Sequence, residues 1–381
     1  MSGIYNFLSN ALPFIGVLSI VVFIHEYGHF IVGRYCGVTV EAFSIGMGRE
    51  ICGFNDRYGT RWKLSWIPIG GYVRFVDDTN SASVPTPEGS SELTAEERAG
   101  ALQNQSLPKR TAIIAAGPAF SIGSGLLFYI ILFWVFGTYA VEPTVQSLVP
   151  GGAAMQAGLK PGDRIVEIDG TAIDQFLDLQ RIVTQNPDKQ LQFTIKRDGV
   201  TQTTMITPTF GERVDLLGNK VKVGLIGVIA GKIHHESHGF FDAVRLGFKQ
   251  TGDVATQIVT SLPKIPFAIA KVFRFEEQSD LGGAIAIAQM SGEAAKSGAA
   301  GLLCWIAAFS VMLGVMNLLP IPILDGGHLM FYALEAVRGK ALEPSKQMLG
   351  AQIGLAIIAT LMVAGLVGDF TRLSKLFFGL G

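Results

Sequence analysis

The chain has 381 residues, of which 49% are hydrophobic and only 16% charged, and its formal net charge is -1. Its mean hydropathy is +0.39, which places it among membrane proteins rather than ordinary soluble domains. No basic stripe with interleaved aromatics is present, so no nucleic-acid partner is expected.

Four apolar segments are long enough to cross a hydrocarbon core of about 30 Å as helices. The first covers residues 1–34, with its helix expected over 11–34, and contains VVFIHEYGHFIVG at 21–33. Its N-terminal tail, MSGIYNFLSN, lacks the Lys or Arg of a signal peptide, so it reads as a retained helix. Residues 35–110 follow as a basic loop with Arg49, Arg57, Arg61, Lys63, Arg74, Arg98, Lys109 and Arg110. The positive-inside rule puts that loop in the cytoplasm and the N-terminus outside. Within it, TRWKLSWIPIGGYVRF (60–75) alternates Trp62, Leu64 and Trp66 before Gly70 and Gly71, and reads as a strand with a tight turn. Residues 77–100, rich in Ser, Pro, Glu and Thr, read as a mobile insert.

A second helix is expected over 111–137, and the segment after it lies outside. Residues 142–232 read as a β-rich domain: GLKPGDRIVEIDG (158–170) sets the strand RIVEI between two turns, and LQFTIKRDG (191–199) repeats that order. FLDLQRIV (176–183) spaces its apolar residues as one helix face. GLKPGDRI resembles the PDZ domains of bacterial envelope proteases. Residues 233–299 read as an outer amphipathic segment, in which 240–262 has helical spacing and either lies in the interface or packs on the β-rich domain. HHESH (234–238) reads as a solvated loop. The third crossing is expected over 300–328, ending in NLLPIPILDGGH, where Pro320, Pro322, Gly326 and Gly327 break the helix. The fourth is expected over 347–369. Cys36, Cys52 and Cys304 imply no disulfide framework.

The chemistry concentrates in HEYGH. His25 and His29, four apart on a helix, project from one face about 6 Å apart along the axis and suit one Zn²⁺ ion. Glu26 sits near that metal without having to bind it and can act as a base toward water. Ionisable groups at membrane depth are costly and mark function. A hydrolytic zinc site needs a third ligand and an open position. Asp325, the one carboxylate at the end of the third apolar segment, reaches the same depth on the same face. His328 is a competing third ligand, or else orients Asp325.

HEYGH, GPAFS, GLKPGDRI and NLLPIPILDGGH together resemble the site-2 intramembrane metalloproteases, in particular the bacterial regulator-of-sigma-E protease branch. The resemblance implies a polytopic α-helical membrane protein with four transmembrane helices, a membrane-associated β-like loop and one inserted PDZ-like domain. It implies an inner-membrane zinc endopeptidase that cuts the transmembrane segment of a single-span protein. His25, His29 and Asp325 are then the zinc ligands and Glu26 the base. Gly70, Gly71 and Tyr72 on the β-like loop, with Asn317, hold the substrate backbone. Implied partners are membrane lipid, an anti-sigma factor as client and an upstream site-1-type protease, with the PDZ-like domain gating entry. Ser121 departs from the Asn that many relatives carry, and one PDZ-like domain stands where some relatives have two. A catalytically silent adaptor using its PDZ-like domain is the alternative.

Overall fold

The computed structural model describes residues 2–76, 95–214, 220–231, 233–274 and 282–378. The chain divides into two compact units, one built from the described residues of Met1–Leu132, Phe240–Arg274 and Leu281–Gly381, the other centred on Phe133–Gly239.

The first unit opens with α1 (Ser2–Tyr35), which begins nine residues before the expected start at 11 and passes through Pro13. Two residues beyond its end stands Gly37, whose φ of 84° is open to a residue without a β-carbon. There Val38 N–H donates to Gly33 O at 2.9 Å and closes the helix. β1 (Val40–Asn55) and β2 (Arg61–Phe75) form a curled hairpin. Ile45 faces Gly71 on one side and Leu64 on the other, so the start of β1 is central and residues 71–75 lie at an edge. Phe43, Phe30, Phe75 and Ile113 are buried where this hairpin meets the helices, and Phe43 stacks on Trp62 with ring centroids 4.4 Å apart. The expected mobile insert falls mostly on 77–94, outside the described residues, and its end is the short helix α2 (Ala95–Gly100). α3 (Leu107–Ile131) starts with Pro108 in its first turn, where a missing N–H costs nothing. It continues as a π-helical turn over Leu132–Phe136.

In the second unit β3 (Thr138–Val141) and β4 (Ser147–Leu148) precede α4 (Ala153–Gln156). β5 (Arg164–Ile168), β6 (Thr171–Ala172), β7 (Leu191–Arg197) and β8 (Val200–Ile206) form an antiparallel sheet in the order β6-β5-β7-β8. α5 (Phe176–Gln185) buries Leu179 and Val183 beside Ile165, Ile168, Leu191 and Phe193. A capping box between Gln175 and Asp178 fixes its start. β9 (Thr209–Val214) pairs with β10 (Lys220–Leu225), β11 (Val228–Ile229) with β4, and β12 (Ile233–Glu236) with β3. HHESH is therefore strand at its start rather than a solvated loop, because Ile233 to Glu236 pair in register with Val141 to Thr138. His235 Nε2 donates to Phe136 O at 2.7 Å.

Back in the first unit, α6 (Phe240–Ser261) packs on α3 and on the later helix over Gly298–Asn317. Gly247 presses against Ile130 and Leu126 of α3. After α6, Pro263 and Pro266 give a short 3₁₀ turn, and then α7 (Ile265–Phe273) and α8 (Ala284–Lys296) follow. α9 (Gly298–Asn317) stops before Pro320 and Pro322, and α10 (Asp325–Arg338) starts anew, so 300–328 is not one helix. Gly326 and Gly327 do not break it. They lie in the first turn of α10, where added β-carbons would stand 2.2 Å from Leu319 O and 2.5 Å from Ile321 O. α11 (Pro344–Phe378) outruns the expected 347–369, and its buried Asp369 accepts the N–H groups of Gly283 at 3.0 Å and Ile285 at 2.8 Å at the start of α8.

Four helices are long and apolar enough to cross a membrane, over Ser9–Tyr35, Leu107–Phe136, Gly298–Asn317 and Pro344–Thr371. Leu127, Leu355 and Met362 are exposed on them, an arrangement suited to lipid rather than water.

Candidate metal centre

His25 and His29 are buried one turn apart on α1. α3 comes within contact of them because two glycines remove side chains from the seam. A β-carbon at Gly28 would be 2.5 Å from Ala116 O, and one at Gly117 would be 2.2 Å from His29 Nε2. Ile113 O then lies 2.9 Å from His29 Nδ1. A carbonyl only accepts, so neutral His29 carries its proton on Nδ1 and turns the Nε2 lone pair inward. Ser121 Oγ stands 3.0 Å from His25 Nδ1, and as acceptor it orients that ring in the same sense.

α10 supplies the carboxylate. Asp325 Oδ2 is 3.1 Å from His25 Nε2 and Oδ1 is 3.5 Å from His29 Nε2, while the two Nε2 atoms are 3.3 Å apart. One ligand atom from each residue lies within 4.8 Å of the others. Two inward lone pairs at that separation repel unless a cation lies among them. Asp325 Oδ2 is moreover buried without accepting a hydrogen bond, which leaves it uncompensated. Two imidazole nitrogens and a carboxylate oxygen are a donor set that suits Zn²⁺ and leaves a coordination position open. Arg110 holds α10 in place through a two-pronged ion pair to Glu335, at 3.1 and 2.5 Å.

Glu26 faces β2 across Gly71, where a β-carbon would be 2.8 Å from Ser44 O and 3.5 Å from Glu26 Cγ. A cavity of about 260 Å³ is lined by His25, Glu26, His29, Gly70, Gly71, Tyr72, Asn317 and Asp325 together. His328 also lines it but stands outside the three-residue ligand cluster. Four contributors had not been singled out for the site. Ile113 acts through its backbone and Gly117 through an absent side chain. Ser121 had been noted only as a departure in GPAFS. Ile323, at the cavity wall, has φ of 90°, a conformation β-branched residues rarely adopt and one that clusters at functional sites.

The profile of peptidase family M50 matches residues 13–361, from α1 through Asp325 into α11. The chain belongs to peptidase family M50. Among M50-like relatives, the Mesorhizobium japonicum protein named "Putative zinc metalloprotease mll0638" is 42% identical over 361 residues, covering 93% of this chain and 97% of that protein. Metalloprotease MmpA of Caulobacter vibrioides is 34% identical over 390 residues, covering 96% of each. The solved PDZ domain of an SdrC-like protein from Listeria monocytogenes is 22% identical, covers 24% of this chain and 90% of that one, and has a TM-score of 0.19. The fold of the β-rich unit therefore rests on its own strand pairing. As an M50 site-2 protease, the chain is a zinc metalloprotease and a multi-pass membrane protein.

Proposed function

We propose that this M50 protein is an inner-membrane endopeptidase that cuts single-span membrane proteins within or near their transmembrane segment. The observation that carries this reading is the cluster of buried His25 and His29, on a helix long and apolar enough to cross a membrane, with Asp325 at the start of α10, whose Oδ2 is uncompensated. These three residues would hold one Zn²⁺, which would supply Lewis acidity toward the scissile carbonyl and the attacking water. Glu26 takes the proton from that water and returns it to the leaving amine. A helical substrate hides its amides and must unwind before attack. The edge of β2 at Gly70, Gly71 and Tyr72 receives the unwound stretch by strand addition, with no side chain at either glycine to block it. The Asn317 amide bonds the substrate backbone from the opposite wall.

Both termini and the PDZ-like domain lie in the periplasm, and the metal centre lies toward the cytoplasm. The PDZ-like domain acts as a steric gate: a site-1-type protease first trims the client, an anti-sigma factor, and the shortened protein then enters. Zinc content and cleavage of a tethered single-span substrate test the ligand set. Asp325→Ala should lose both. Full zinc and full activity in that variant would overturn the assignment and make His328 the third ligand.

A further inference from the structure

A second cavity, of about 660 Å³, lies at the end of α1 and takes no part in the proteolytic chemistry. Arg34, Tyr35, Thr39, Arg57 and Tyr58 contribute to its wall. Arg34 stacks between Phe30, at 4.4 Å to the ring centroid, and Tyr58, at 4.6 Å. Its Nη2 bonds Asp56 and, at 2.9 Å, Thr60 Oγ1. Its Nε and Nη1 make no hydrogen bond with any described residue. Arg57 is exposed, stands 4.7 Å from the centroid of the same Tyr58 ring, and pairs with no carboxylate among the described residues.

Two guanidinium groups thus share one aromatic ring, and among the described residues Asp56 is the one carboxylate bonded within the group. Burial works to raise Asp56, but bonds from Trp62, Tyr58 N–H, Arg34 and Thr60 N–H outweigh it and hold the carboxyl at about 2. It therefore stays charged, and the cluster keeps one surplus positive charge. The terminal carbonyls of α1 do not cancel it, because Val38, Gly37 and Cys36 N–H groups close on Gly33, Arg34 and Val32. The arginine pair Arg34–Asp56 explains the fold of the turn. Among the described residues Arg57 has no carboxylate partner, and Tyr35 is 93% and Tyr58 63% exposed.

The position supplies the ligand. The crossing segment Ser9–Tyr35 ends here, so the cavity sits at headgroup depth, where exposed aromatics and basic pockets meet lipid. Guanidinium forks match phosphate oxygens with two parallel bonds. We propose that this cavity binds the phosphate of an anionic glycerophospholipid headgroup, with Arg57 and the free edge of Arg34 as donors and Tyr35 and Tyr58 against the glycerol and upper acyl chain. Arg34 follows His29 by five residues, a rise of about 7.5 Å. A headgroup held here therefore fixes the depth of α1, and with it the depth of the metal centre.

The full chain in nonionic detergent can be titrated with phosphatidylglycerol or phosphatidylcholine and its bound lipid counted by native mass spectrometry, with zinc content as the check on folding. Arg57→Gln should weaken phosphatidylglycerol binding roughly tenfold or more, the scale of a lost charge-assisted bond, while Lys346→Gln, in the first turn of α11, changes it less than twofold. Equal loss in both variants, no loss in Arg57→Gln, or equal binding of the two lipids would overturn the site. Displacement of phosphatidylglycerol by millimolar inorganic phosphate from the wild type would make free phosphate the ligand and overturn the lipid assignment.

Discussion

The ring of His29 is held from three directions at once: its own helix, the Ile113 carbonyl behind Nδ1 and the bare Gly117 backbone against its face. Gly117→Ala should raise the helical propensity of α3 by up to about 1 kcal/mol and yet push the imidazole off its position. We expect zinc affinity to fall at least tenfold in a metal-competition titration, without a matching loss of thermal stability. Ser121→Ala removes the acceptor at His25 Nδ1, and partners of that kind typically contribute 10- to 100-fold in affinity; the same titration should show a loss in that range. His25, Glu26 and His29 were legible because ligand spacing on one helix is a local property. Ser121 and Ile113 were not, since they meet the histidines from 96 and 84 residues away. One acts through a hydroxyl that resembles any helical serine, the other through a carbonyl common to every residue.

Among the elements, the prolines of NLLPIPILDGGH end α9 as read from the sequence, since neither can donate to a helix ladder. The glycines beside them were misread. Gly signals flexibility in a sequence, whereas here it lets the first turn of α10 lie on the chain before it. α8 escaped notice because AIAIAQMSGEAAK carries no side-chain cap of its own at Gly283, and its start is fixed from elsewhere by Asp369. In the β-rich unit, the Asp of GLKPGDRI proves to be a fully buried acceptor. Asp163 takes bonds from Arg197 at 2.6 and 2.7 Å and from Lys160 N–H at 2.8 Å. Burial works to raise its pKa, but the Arg197 bond and the Lys160 amide prevail, so the carboxyl lies below its ordinary value. A depressed folded pKa stabilises the domain above the unfolded value near 4 and loses that contribution as pH falls through the folded one. Thermal melts should therefore shift downward as pH drops below about 4. Arg197→Met, which strands a buried carboxylate, should destabilise the unit at neutral pH, read as faster trypsin cleavage within residues 142–232.

For the whole molecule, four apolar helices and a basic first loop were visible from composition alone, because a bilayer imposes length and charge rules that packing does not. The proposed topology places Cys52 inside and residue 237 outside. An impermeant thiol reagent applied to cells with a permeable outer membrane should label Ser237→Cys and spare Cys52. The reverse pattern would move the metal centre to the other face. Replacing residues 142–232 with a short flexible linker should speed cleavage of a client with a large folded outer domain and leave a trimmed client nearly unchanged. Loss of both activities in a zinc-loaded variant would instead give the domain a recruiting or supporting role. The most direct measurement is zinc per chain together with cleavage of a tethered single-span substrate, for the wild type and Glu26→Gln. The account predicts about one zinc in both, with cleavage lowered by at least a factor of about 100 in the variant. Undiminished cleavage by zinc-loaded Glu26→Gln would contradict it.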